Sequence, residues 1–205
     1  MTLNAFFDVR SVAVIGASDD PTRIGGRPIK ALKTYWKPTE GGRIFPVNPS
    51  RETVQGLVAY RDISDIPEQV DLVIIAVPAA KVAECLDGCA QNGCRSVIVF
   101  SSGFSETGAE GRIAEHRLAE KAKSLGIRLL GPNCLGLLDM HQGLYATFSD
   151  LARYDGHLAG PVGIASQSGA VMSQIVMLAR SRRVGISKAL SFGNASDVEL
   201  AESIR

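Results

Sequence analysis

The run Ser11-Val-Ala-Val-Ile-Gly-Ala-Ser18, continued by Asp19-Asp-Pro-Thr-Arg-Ile-Gly-Gly26, decides the fold. Val12 to Ile15 are small or β-branched apolar residues, the composition of a strand buried on both faces. Gly16 and Ser18 end that strand, and a polar turn leads into an amphipathic helix. A strand, turn and helix in this order aim backbone N–H groups and a positive helix end at one point, where a phosphate can sit.

A nicotinamide dinucleotide is the usual occupant of such a turn, and the residues argue against it. Its fingerprint wants three spaced glycines and an acidic residue about 20 positions on, to hold a ribose hydroxyl. Here the corresponding positions read Gly16, Ser18 and Pro21, and the second strand ends in Pro46-Val-Asn-Pro49 with no carboxylate.

Working outward, strands and helices alternate along the whole chain. Apolar runs predict strands at 11–16, 43–47, 71–77, 95–101, 127–130, 162–166 and 186–191. Helical patterns fall near 25–36, 79–93, 108–125, 168–182 and 196–205. The strands are continuous apolar runs, as in Asp71-Leu-Val-Ile-Ile-Ala-Val77, so both faces are expected to be covered. That predicts an α/β, doubly wound parallel sheet with right-handed crossovers. Residues 1–140 are expected to form this domain and 141–160 a linker on the surface. From Pro161 to Arg205 a second α/β unit begins, too short to close a core alone, so the chain reads as a fragment of a longer protein.

The remaining bulk properties narrow the function classes. With 205 residues, 45% hydrophobic, 21% charged and a formal net charge of +1, nothing recommends nucleic acid as a partner. The basic cluster Arg180-Ser-Arg182-Arg183 suits the negative end of a helix. No apolar stretch approaches the ~20 residues needed to cross a bilayer, and the N-terminus is not a signal peptide, so a cytoplasmic location is expected. Cys85, Cys89 and Cys94 lack a metal-ligand spacing and read as packing residues.

Ligands of open parallel sheets bind beyond the carboxyl ends of the strands. Those ends read Gly16-Ala-Ser18, Pro46-Val-Asn48-Pro, Val77-Pro78-Ala79, Ser101-Ser102-Gly103, Gly131-Pro132-Asn133-Cys134-Leu-Gly136 and Ser166-Gln-Ser168-Gly169. They are rich in small, hydroxyl and proline residues and contain no acid/base pair, so the edge is built for binding. Ser166 and Ser168 lack the glycine that a serine-hydrolase elbow requires. Cys134 is either a packing residue or one lining the reaction centre.

Taken in order, these turns resemble the nucleoside-diphosphate-forming acyl-CoA synthetases, the superfamily of the succinyl-CoA synthetase α subunit and the ADP-forming acetyl-CoA synthetases. Gly-Pro-Asn-Cys-Leu-Gly and Ser-Gln-Ser-Gly are the specific elements. The resemblance implies a Rossmann-like CoA-binding domain followed by the start of a flavodoxin-like ligase domain. It implies that Gly16, Ala17, Ser18 and Arg23 cradle the nucleotide end of coenzyme A, with Asn48 and Arg51 at a CoA phosphate. Val77, Pro78, Ala79, Ser101, Ser102 and Gly103 would line the adenine and pantetheine path. Asn133, Cys134, Ser166, Ser168 and Gly169 would line a phosphate site, where the last helix points its N-terminus at a phosphohistidine.

The implied reaction joins a carboxylic acid to CoA at the expense of ATP or GTP, through acyl phosphate and phosphohistidine. The family's histidine lies in a Gly-His-Ala-Gly setting that none of His116, His141 and His157 matches. The ATP-grasp domain, which takes the nucleotide and Mg, is also missing. The chain is therefore expected to bind CoA without turnover unless further C-terminal domains or an ATP-grasp subunit join it; a homo-oligomer is also open. Two alternatives stand beside this: a CoA-binding regulatory module of a protein lysine acetyltransferase, and an NAD(P)-dependent oxidoreductase domain.

Overall fold

The computed structural model describes residues 3–37, 41–153 and 158–204. In chain order its strands are β1 (Ser11–Ile15), β2 (Arg43–Val47), β3 (Thr53–Val54), β4 (Leu57–Val58), β5 (Leu72–Ile75) and β6 (Ser96–Val99). They continue with β7 (Arg128–Leu130), β8 (Gly136–Asp139), β9 (Leu144–Thr147), β10 (Ala159–Ser166) and β11 (Ile186–Ser191). The α-helices are α1 (Arg27–Tyr35), α2 (Ala79–Asn92), α3 (Ala109–Ser124) and α4 (Gly169–Ser181).

The expected parallel sheet is present, in the order β2-β1-β5-β6-β7. Its side chains alternate between two cores, as the pleat requires. Val12, Val14, Leu72, Ile74, Ile98 and Leu130 point to one face, where Ile29 and Leu32 of α1 meet them. Ala13, Ile15, Val73, Ile75, Val97, Val99 and Leu129 point to the other, covered by Val82 and Leu86 of α2 and Leu118 of α3. Cys89 and Cys94 belong to that second core, and burial pushes the Cys94 thiol up to about 12. These cysteines pack as small apolar residues.

The segment read as a surface linker contains a buried strand. β9 is buried at all four positions and pairs antiparallel with β8, which pairs antiparallel with β11. A second sheet results, in the order β10-β11-β8-β9, with β10 and β11 parallel. Leu137, Leu144, Ala146, Leu190 and Phe192 of this sheet share a core with Val12, Val14 and α1. Its other face, with Leu138 and Tyr145, packs on Met172 and Val176 of α4. The polar residues that made the segment look like a linker have inward partners. Thr147 Oγ1 donates to the Leu135 carbonyl at 2.6 Å, and the Asp139 carboxylate pairs with Lys188 Nζ at 3.0 Å. Residues 154–157 of the expected linker, His157 included, lie outside the described residues.

The helix expected over 196–205 is replaced by an edge strap and a short 3-10 turn, Leu200–Ile204. The Ser196 and Val198 N–H groups donate to the carbonyls of Gly131 and Leu129 along the open side of β7, at 3.1 and 3.2 Å. The Asp197 carboxylate accepts from the Leu129 N–H at 2.7 Å and from Arg128 Nε at 2.9 Å, while Glu202 takes Arg128 Nη2 at 2.8 Å. A side chain that bonds the neighbouring strand holds its own backbone extended and competes with helix formation.

Leu144 separates the two descriptions of this segment. Leu144→Ala is expected to cost ~2–5 kcal/mol in urea denaturation, the range for a truncated core leucine. A leucine on a surface linker would cost under about 0.5 kcal/mol.

Candidate functional site

At the carboxyl end of β1 lies a cleft of about 490 Å³, lined in part by Gly16, Ala17, Ser18, Arg23, Asn48 and Arg51. These six sequence-predicted residues are thus brought together, by a backbone that folds tightly on itself. Gly16 has φ +84°, and a Cβ there would sit 2.5 Å from the Ala76 carbonyl oxygen. A Cβ on Gly25 would sit 2.0 Å from the Gly16 carbonyl oxygen. Gly25 therefore supplies the close approach that the absent fingerprint glycines would have supplied, seven residues after Ser18.

The loop does not present its amides as expected. The N–H groups of Gly16 and Ala17 donate to the Val47 carbonyl at 3.1 and 3.2 Å, and that of Ser18 donates to Gly25 at 3.3 Å. The Gly26 and Arg27 N–H groups at the start of α1 both donate to the Arg23 carbonyl at 2.9 Å. With those donors engaged, Arg23 and Arg51 supply the positive charge among the residues that line the cleft. Arg51 is exposed, and its guanidinium has no partner among the described residues. Arg23 is mostly exposed and meets Asp20 only at 3.7 Å. Beside them Ile24, 41% exposed, presents an apolar surface.

Asn48 acts on the loop. Its amide donates to the Ala17 carbonyl at 2.8 Å and its side-chain oxygen accepts from the Ser50 N–H at 2.9 Å. A second clamp escaped the sequence reading: Gln55, at the tip of the β3–β4 hairpin, donates to the carbonyls of Ser18 and Gly26 at 3.0 and 2.9 Å. No motif spacing marks such a residue, because its partners are backbone carbonyls far away in sequence.

The other predicted turns continue along the same edge. Val77 and its neighbours reach Gly16 on one side, and Ala79 reaches Gly103 on the other: a Cβ on Gly103 would lie 3.1 Å from the Ala79 methyl. The Ser101 hydroxyl donates to the Val77 carbonyl and is buried, which leaves Ser102 and Gly103 exposed. The Asn133 N–H donates to the Ser101 carbonyl at 2.9 Å, so the Gly131–Leu135 turn is next in line. Ser168 caps α4 through a bond from the Val171 N–H at 3.3 Å, Ser166 Oγ donates to the Ser168 carbonyl at 2.9 Å, and Gly169 lies against Leu135.

Cys134 does not line this edge. Its thiol is turned into the core toward the Val99 and Leu130 carbonyls, and burial pushes it up to about 12. It is the packing residue of the two options, and at neutral pH it carries no thiolate for nucleophilic chemistry.

The residues missed here are Asn194, Glu106 and Glu115, which gather beside Asn133. One signal pointed to Asn194: Ser191-Phe-Gly-Asn194 follows β11 as the other turns follow their strands. Burial would raise the Glu106 carboxyl, but hydrogen bonds from the Asn194 side chain and from the Gly103 and Phe104 amides outweigh it and hold the carboxyl below its usual 4.5.

Parallel strands whose turns line up along one edge of the sheet, with Arg23 and Arg51 at the first turn, define a Rossmann-like frame. Residues 10–140 match the family model described as the CoA binding domain, and residues 159–205 match the succinyl-CoA ligase like flavodoxin domain. The chain belongs to the CoA-binding domain family. It is 42% identical, over 98% of its length, to the alpha subunit of the ADP-forming acetate–CoA ligase II of Pyrococcus furiosus, of which it covers 42%. It is 36% identical over 93% of its length to the ADP-forming acetate–CoA ligase of Methanocaldococcus jannaschii, of which it covers 25%. Among solved structures it superposes with a TM-score of 0.89 on the dinucleotide-forming acetyl-coenzyme A synthetase 1 of Ca. Korarchaeum cryptofilum in complex with phosphate and ADP. That match has 35% identity and covers 98% of this chain and 42% of that one. The chain thus spans less than half the length of these relatives. They are CoA ligases, and the oxidoreductase and lysine-acetyltransferase readings draw no support from them.

A carboxyl depressed in the folded chain contributes stability that is present above its unfolded pKa and lost as the pH falls through the folded value. Wild type is therefore expected to exceed Glu106→Gln in urea midpoint at neutral pH, with the gap closing below Glu106's ordinary 4.5. A gap that stays constant on acidification would contradict the assignment.

Proposed function

We propose that this chain is the CoA-handling portion of an ADP-forming acyl-CoA ligase. The observation that carries the reading is the cleft at Gly16–Arg23, where exposed Arg23 and Arg51 flank an apolar side chain at the end of β1. Two exposed cations at the rim suit the phosphates of CoA, and Arg is the side chain that meets phosphate with paired donors. Gly16, Ala17 and Ser18 form the floor, and Asn48 fixes the floor to the end of β2. The turns Val77-Pro78-Ala79 and Ser101-Ser102-Gly103 then offer a path along the sheet edge for the adenine and pantetheine.

That path leads to Asn133 and the Ser168-capped start of α4, the proposed phosphate site. A helix N-terminus contributes about half a positive charge with free N–H donors, and the Asn amide adds neutral ones. In the proposed step the CoA sulfur bonds to the acyl carbon of an acyl phosphate. The bond from that carbon to the phosphate oxygen breaks, and the thiol proton leaves with the phosphate. The chain's contribution is proximity: it holds the thiol against the reacting carbon.

Making the acyl phosphate is assigned to other segments or to a partner subunit that handles ATP or GTP with Mg. His116 is exposed on α3 beside Glu120 at 3.5 Å, and His141 lies at 3.3 Å from the Gly160 carbonyl, so neither sits at the proposed phosphate site. The carboxylic acid is likewise proposed to be selected elsewhere in the full ligase. No helix among the described residues is long and apolar enough to cross a membrane, in keeping with work in the cytoplasm, where CoA and ATP are available.

Calorimetric titration with CoA, with NADH in parallel, tests the reading. Saturable CoA binding is expected, weakened about tenfold by Arg51→Ala, the loss of roughly one charge-assisted contact. Ser18→Trp should block it by filling the floor of the cleft. NADH binding without CoA binding would overturn the proposal.

A further inference from the structure

The turn after β11 is wedged against the turn after β7. A Cβ on Gly193 would sit 2.3 Å from the Pro132 carbonyl oxygen, and the Asn194 N–H donates to that same oxygen at 2.9 Å. This contact brings the Asn194 amide to a place where every one of its atoms has a partner. Its two N–H bonds go to Glu106 Oε2 at 2.7 Å and Glu115 Oε2 at 2.6 Å, and its oxygen accepts from Asn133 Nδ2 at 3.2 Å. Carboxylates only accept, so a primary amide is the neutral side chain that can donate to both and still accept from a third group.

The two carboxylates hold the β6–α3 turn. Glu106 Oε1 accepts from the Gly103 and Phe104 N–H groups, and Glu115 Oε2 accepts from the Ser105 N–H at 3.1 Å. Without the amide between them, two negative groups would converge on one point, and like charges at that range repel. We propose that Asn194 is a positioning residue that locks the Ser102–Phe104 turn and the Asn133 side chain together, so that both face the ligand edge in fixed register. The proposal rests on the CoA reading for its ligand, and it ties that ligand's turn in the first sheet to a residue carried by the second.

The test compares Asn194→Asp and Asn194→Ala with wild type, in the 205-residue chain. CoA affinity is measured by calorimetry, and amide hydrogen exchange at Gly103 and Phe104, from about pH 8 to about pH 5. Glu106 and Glu115 are the titratable groups bonded to Asn194 among the described residues. At the higher pH, Asn194→Asp replaces the donor amide between Glu106 and Glu115 by a third acceptor of negative charge. Gly103 and Phe104 are then expected to exchange faster, and CoA affinity to fall about tenfold relative to wild type.

As the pH drops, one carboxyl of the three takes a proton and donates again, so the ratio to wild type should return toward one. Asn194→Ala leaves no third side chain to join Glu106 and Glu115 to Asn133, so its ratio should recover less than that of Asn194→Asp. Wild-type exchange and affinity in both variants would overturn the proposal. So would a uniform rise in exchange across the chain with no recovery on acidification, which is the signature of general destabilisation. If wild type itself binds no CoA, the functional reading falls, and the exchange at Gly103 and Phe104 alone decides whether Asn194 positions the turn.

Discussion

Gly16 leaves β1 so close to Ala76, at the end of the central strand β5, that there is no room for a methyl group between them. The same contact recurs along the carboxyl edge, where Gly25 lies on Gly16 and Gly193 on Pro132. Backbone meets backbone at each of these points, so loops from both sheets stack side by side as one continuous rim. The cleft exists because this stacking carries the loop from Gly16 to Gly26 outward and then back over the strand end.

Close stacking has an electrostatic consequence. Amides at the turn of β1 find carbonyls within the protein, Val47 for Gly16 and Ala17, and Gly25 for Ser18. A phosphate-binding loop of the dinucleotide kind keeps such donors for its ligand. Here the Gly16, Ala17 and Ser18 amides are already engaged, and the positive charge at the cleft is that of Arg23 and Arg51. Arginines held by few contacts adapt to a ligand at the cost of side-chain entropy, whereas a fixed nest of amides accepts one geometry.

Much of this was legible in the sequence because apolar runs and strand ends are local signals. Ser11–Ile15 and Leu72–Ile75 announce buried parallel strands on their own, and the turns that follow them contain the residues that line the cleft. The β8–β9 hairpin was not legible, since Asp139 and Thr147 look like surface residues until Lys188 and the Leu135 carbonyl are seen opposite them. Gln55 and Asn194 hid for a related reason: each works through partners dozens of residues away. The segment 196–204 has a helical pattern, but Arg128 captures Asp197 and Glu202 and holds the chain along β7. Local pattern lost there to a tertiary ion pair.

The two sequence families meet between residues 140 and 159, yet the second sheet draws β8 from one side of that boundary and β10 and β11 from the other. A gene rearrangement that cut at the family boundary would strip β11 of its antiparallel neighbour and open the shared core around Leu137, Leu190 and Phe192. In this chain the two matched segments are therefore held together through one sheet and one core.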